Sequence, residues 1–252
     1  EDHRGLSSNY INCITQDIQG HILLGTNNSL LLYNGKSFAN IPLLGSKNQP
    51  FSTYVTQVYR LKNNDIAVVT SGYGIMLKKE NAEVCYAMKG EVENLKFIHK
   101  ILEDKQDRLW IILENGKLYC ADKKGKVTKQ IPGAETLEAK DIRQDNKGNI
   151  YLATKNDGIY LLKAGSTIFT KIAGIGNLPI DNIYISRDQR LFIGCDGMGI
   201  FVYNPVTGFL QNNPLFSREV NLAKCKITSI IEDFTGNIWV SMLQKGVFMQ
   251  SQ

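Results

Sequence analysis

IIEDFTGNIWVS, residues 230–241, is the stretch on which the fold turns. Two short apolar runs flank the polar tetrad Asp233-Phe234-Thr235-Gly236. An Asp opening a tight turn accepts hydrogen bonds from the turn's own amides, and a Gly three residues on takes positive φ without strain. The stretch therefore reads as strand, Asp-x-x-Gly turn, strand. ILEDKQDRLWII (101–112), DIRQDNKGNIYLAT (141–154) and ITQDIQGHILLGT (14–26) repeat it in register. Two weaker copies span 58–70 and 184–195, with Leu61 and Ser186 where the Asp would stand.

The position of Trp239 marks the period. It is held in turn by Leu23, Ala67, Trp110, Tyr151, Phe192 and Trp239, at intervals of about 41 to 47 residues. A second turn follows each copy, with Gly74, Gly116, Gly158, Gly199 and Gly246 at a near-constant offset and Ser29 in the first copy. A third strand and a Gly-containing turn such as Asn34-Gly35 complete the unit. Four short strands per unit of this length are one propeller blade, since sandwiches do not repeat a four-strand unit. The expected fold is all-β: a β-propeller of four-stranded antiparallel blades with six repeats visible. The chain is expected to form one domain over 1–252, with repeats near 9–53, 54–96, 97–138, 139–179, 180–225 and 226–252. Gly90 to Lys96 is the best helical candidate, although a loop suits it better. Trp110 and Trp239 are expected to pack between blades.

These copies resemble the two-component regulator propeller repeat, with its pattern I-x-x-D-x-x-G-x-[IL]-W-[IV]-[GS]-T. GLSSNYI (5–11) is similar to the segment that leads into a first blade, and LLYNGKSF (31–38) to the family's strand-and-turn signature. The resemblance implies the periplasmic sensor of a hybrid histidine kinase, usually two propellers followed by an immunoglobulin-like domain, a membrane helix and a kinase. It implies seven blades per propeller, so the visible repeats would be part of such a ring. It also implies an oligosaccharide ligand, a second propeller and an immunoglobulin-like domain as partners, and signalling to a cytoplasmic kinase. Membrane contact would be only through a segment outside these residues. An open propeller end would expose strand edges able to pair with another chain, for instance as a homodimer. The alternative is a non-catalytic scaffold that binds other proteins.

Composition agrees with a binding module. Apolar residues make up 43% and charged residues 21% of the 252, enough to bury a sizeable core. The net charge of +5 is spread over turns such as Asp122 to Lys126 and forms no nucleic-acid-binding cluster. The five cysteines contain no C-x-x-C pair. Cys13 and Cys195 read as small buried hydrophobes, with a disulfide between distant cysteines left open. No run approaches the ~18 apolar residues of a membrane helix. The three histidines, His3, His21 and His99, lack metal-ligand spacing, and His21 reads as solvent-facing. No nucleophile elbow or Walker loop is present. Gly72-Tyr73-Gly74 and Gly197-Met198-Gly199 read as hairpin turns. Neither catalysis, a metal nor a cofactor is expected.

Ligand binding is expected at one end of the blades, where the loop into the first strand meets the turn between strands two and three. That end would carry Tyr10, Tyr54, Tyr73, Asn156, Asp157, Asp181, Asn182, Asp196 and Lys245. Aromatic faces mixed with amides and carboxylates suit sugar binding. Each residue taken alone also suits an ordinary polar turn.

Overall fold

The computed structural model describes residues 10–45, 48–122, 124–212, 225–242 and 246–250. They form six sheets, each a blade of a β-propeller, with strands following one another in chain order in five of the six. The repeat-based reading of the fold holds. Six blades are described, where the family resemblance implied seven. The helical candidate is a single 3-10 turn at Glu91–Asn94.

Contacts divide the chain into two compact units, Glu1–Glu114 with Tyr119–Lys129, and Asn115–Leu118 with Gln130–Gln252. Blades 1 to 3 lie essentially in the first unit and blades 4 to 6 in the second. The first strands are Ile11–Gln16, Val55–Arg60, Ile98–Glu103, Ala139–Gln144, Ile180–Ile185 and Ile227–Glu232. Every one shifts register at its second residue against the second strand of its blade. Such a bulge re-aims side chains at the strand entrance. The residue after it reaches the next blade in several copies. Gln57 brackets Ile101, its Oε1 accepting from the Ile101 N–H at 2.7 Å and its Nε2 donating to the Ile101 carbonyl at 3.3 Å. Asp141 Oδ2 accepts from the Ile183 N–H at 2.9 Å.

Strand alternation assigns the two faces of a blade to its two neighbours. In blade 5, Tyr184, Phe192 and Val202 lie opposite one another and pack on Ile227, Ile230 and Val240 of blade 6. Tyr151 and Leu161 of blade 4 pack on blade 5 in the same way. In the first unit, Leu23 and Leu32 meet blade 2, and Ala67 and Leu77 meet blade 3. Each of these four core clusters therefore belongs to a pair of blades, because a lone blade cannot bury both faces. In blade 6 the corresponding row of Ile231, Trp239 and Met249 is exposed, at 53%, 37% and 46%.

The turns explain the marker position. Asp233 Oδ1 accepts from the backbone N–H groups of Thr235 and Asn237. Its Oδ2 accepts from the Trp239 indole N–H at 2.8 Å. Asp104 does the same for Gln106, Arg108 and Trp110. The two tryptophans thus share one hydrogen bond as well as one place in the blade. In blade 5, Ser186 Oγ accepts from the Arg190 N–H in place of the Asp, and the indole gives way to the fully buried Phe192. His21 is not simply solvent-facing. It is half-buried, and its Nδ1 lies 3.0 Å from Asp17 Oδ2 because the turn carboxylate draws it in.

Blade 2 departs from four strands. The connection from blade 1 folds into a hairpin, Leu43–Leu44 with Pro50–Phe51, whose first arm pairs in parallel with the outer strand Cys85–Ala87. The sheet becomes six-stranded, and Pro50, which has no amide to donate, stands on its edge. Blade 6 has three described strands. All five cysteines are free thiols. No helix among the described residues is long and apolar enough to cross a membrane.

Candidate functional site between blades 5 and 6

Three of the residues expected at the loop end come together. Asp181 and Asn182 occupy the bulge of the first strand of blade 5, and Asp196 follows its second strand. Asp196 forms an isolated antiparallel bridge with Lys226, the residue before the first strand of blade 6. That bridge sets the Lys226 ammonium 3.5 Å from both Asp181 Oδ2 and Asp196 Oδ2. Such a spacing makes an ion pair, but it is long for a hydrogen bond.

Glycine makes room for the amide. Asn182 lies opposite Gly194, where a Cβ would stand 2.9 Å from Asn182 Oδ1 and 2.9 Å from Ile227 Cγ2. With no side chain there, Asn182 lies across the strand and donates to the Ile227 carbonyl at 2.6 Å. Two buried oxygens then remain without a hydrogen-bond partner, Asp181 Oδ2 and Asn182 Oδ1. Burial pushes the Asp181 carboxyl above its ordinary range, and the Asp196 charge adds to this while Lys226 opposes it. Orphaned buried acceptors are costly and rare in folded proteins. Two carboxylates around one ammonium suit a ligand rich in O–H groups. Among the described residues, no group of three or more His, Cys, Asp or Glu side chains is placed to hold a metal.

The other described residues expected there occupy the corresponding loops of other blades and are not part of this cluster. Asp157 is engaged by Lys171 and accepts from the Tyr160 hydroxyl at 2.6 Å. These two bonds, Lys171 first, hold its carboxyl below the ordinary range. Its neighbour Asn156 is exposed and borders a shallow recess with Glu138 and Lys155. Tyr10, Tyr54 and Tyr73 belong to the first unit. All three are exposed, and the Tyr73 ring stacks on Phe51 with centroids 4.3 Å apart. Lys245 lies outside the described residues. Sequence reading missed Lys226 and Phe51. Lys226 meets Asp196 across two blades and Phe51 comes from the added hairpin, so spacing within a blade marks neither.

Residues 5–28 match the family model described as two component regulator propeller. The match covers the lead-in and the first two strands of the first repeat. No curated protein matches the chain. Among solved structures, the chain is similar to the extracellular domain of BT4673 from B. thetaiotaomicron, described as a hybrid two component system. The TM-score is 0.77 at 21% identity, over 98% of this chain and 32% of that one. The extracellular domain of BT3049 from the same organism, described likewise, gives a TM-score of 0.76 at 20% identity, over 98% and 34%. Virginiamycin B lyase from Staphylococcus aureus, solved with quinupristin, gives 0.69 at 15% identity, over 96% and 81%. At these identities the likeness is one of fold. The chain spans about a third of the length of the two B. thetaiotaomicron domains.

Proposed function

We propose that the chain is an extracytoplasmic, non-catalytic sensor domain of a hybrid two-component system. It detects a saccharide and signals to a histidine kinase carried outside these residues. In a Gram-negative cell the domain faces the periplasm. The repeat matched at 5–28 and the fold shared with extracellular domains of such systems support the class. The observation that carries the ligand reading is the cluster of Asp181, Asp196 and Lys226, with Asn182 Oδ1, one residue on from Asp181, buried without a hydrogen-bond partner. A polyhydroxyl ligand supplies O–H donors to the carboxylates and accepts from the ammonium. Signalling requires that the ligand bind one state of the receptor better than another. The test is calorimetric titration against a panel of neutral and acidic oligosaccharides. Binding heat that is lost in Asp196→Ala and Lys226→Ala is the expected result. No heat and no melting shift across the panel would remove the saccharide reading.

A second reading, a protein-interaction scaffold, is favoured by the exposed row Ile231, Trp239 and Met249. Its partners would be a second propeller or immunoglobulin-like domain of the same protein, or a second copy. Light scattering separates the two readings: concentration-dependent association lost in Trp239→Ser supports the scaffold.

A further inference from the structure

A groove of about 700 Å³ opens between blades 4 and 5, and Asp181, Asn182, Asp196 and Lys226 are not among its lining residues. Its volume falls within the ~300–1,000 Å³ of small-molecule sites. Leu161, Ile172 and Tyr203 form a recessed apolar floor, and Lys147 and Lys163 stand at the rim.

The repeat explains why the groove is here. Four residues after the turn Asp, blade 3 has Arg108, whose guanidinium lies 5.1 Å from the centre of the Trp110 ring. In blade 5, Arg190 covers Phe192 at 5.7 Å. Blade 4 has Asn149 at this position. Its short amide turns back to Asp145 Oδ2 at 2.7 Å and accepts from the Ala164 N–H, so it does not extend over the groove that the buried Tyr151 helps to line.

The charges at the rim do not cancel. Asp145 is hydrogen-bonded by its own turn and keeps its single negative charge, while Asp188 is paired with Arg190 and bonded by Ser186. Lys171 is held by Asp157 and Asn177. Lys147 and Lys163 line the groove with no ion-pair partner among the described residues.

We propose that this groove is a binding site for a small organic anion with an apolar ring face. The ring lies on Leu161, Ile172 and Tyr203, and the carboxylate meets Lys147 and Lys163. An aromatic acid and a uronic acid share this chemistry, so both serve as probes.

The experiment is titration of phenylacetate, glucuronate and the neutral analogue phenylacetamide, followed by amide chemical shifts. At least one acid is expected to saturate shifts in blades 4 and 5, and phenylacetamide to bind at least about tenfold more weakly. Lys147→Ala with Lys163→Ala, both exposed and suited to preserve the fold, is expected to weaken the acid by about tenfold or more. Asn149→Arg restores the cover found in blades 3 and 5 and is expected to abolish binding with the melting temperature held. Asp196→Ala leaves this binding unchanged, which separates the groove from the saccharide site. Binding of neither acid, equal binding of phenylacetamide, or unchanged affinity in the double lysine variant would overturn the proposal.

Discussion

The indole N–H of Trp110 donates to Asp104 Oδ2 at 2.8 Å, joining the ring of the second strand to the turn that precedes it. Asp104 is fully buried, and Arg108 Nε also reaches its Oδ2, at 2.7 Å. Trp239 and Asp233 make the same bond in blade 6, where the ring is 37% exposed.

Trp110→Phe keeps a six-membered aromatic ring but removes the pyrrole ring and with it one donor to the buried carboxylate. A loss of about 1–3 kcal/mol is expected from urea unfolding. Trp239→Phe is expected to lose clearly less, because water replaces the donor at an exposed site. Equal losses would mean that the buried hydrogen bond does not set the cost.

Asp181 has a folded pKa above its unfolded one, through burial first, with Asp196 adding to it. Such a carboxyl costs stability wherever it is ionised in the fold. The cost is full above the folded pKa and vanishes below the unfolded one. Asp181→Asn is therefore expected to raise stability at pH 7. The gain should fade as the pH falls through the folded pKa toward the unfolded value. Melting temperatures of both proteins across that range show whether the two curves converge.

Gly194→Ala adds a Cβ that would sit 2.9 Å from Asn182 Oδ1 and from Ile227 Cγ2. Neither neighbour has room to retreat without loosening the 2.6 Å bond from Asn182 to the Ile227 carbonyl. Overpacking of this kind costs about 1–3 kcal/mol. Loss of saccharide binding together with that destabilisation is expected. A variant with unchanged stability would show that Asn182 does not need the space.

Burial pushes the thiols of Cys13, Cys85 and Cys195 up to about 12, and that of Cys120 up to about 11. The thiolate is the reactive form. These four cysteines are therefore expected to resist iodoacetamide at pH 8 in the folded protein and to alkylate once urea unfolds it. Peptide mass spectrometry after a timed pulse reads each site separately.

The amino-acid order determined the blades because their chemistry is local. Asp233 and Gly236 build a turn from their own backbone, and a period of two then sends Ile230 and Ile231 to opposite faces. It also marked Asp181, Asn182 and Asp196 as belonging to one end. Only tertiary structure decided that Lys226 sits between two of them, that Leu43 pairs with Cys85, and that Asn149 leaves a groove where Arg108 and Arg190 cover their rings. These meetings depend on how closely neighbouring blades approach and on which small residue makes room. Distance across a blade boundary is set by packing, and no spacing within one repeat carries it.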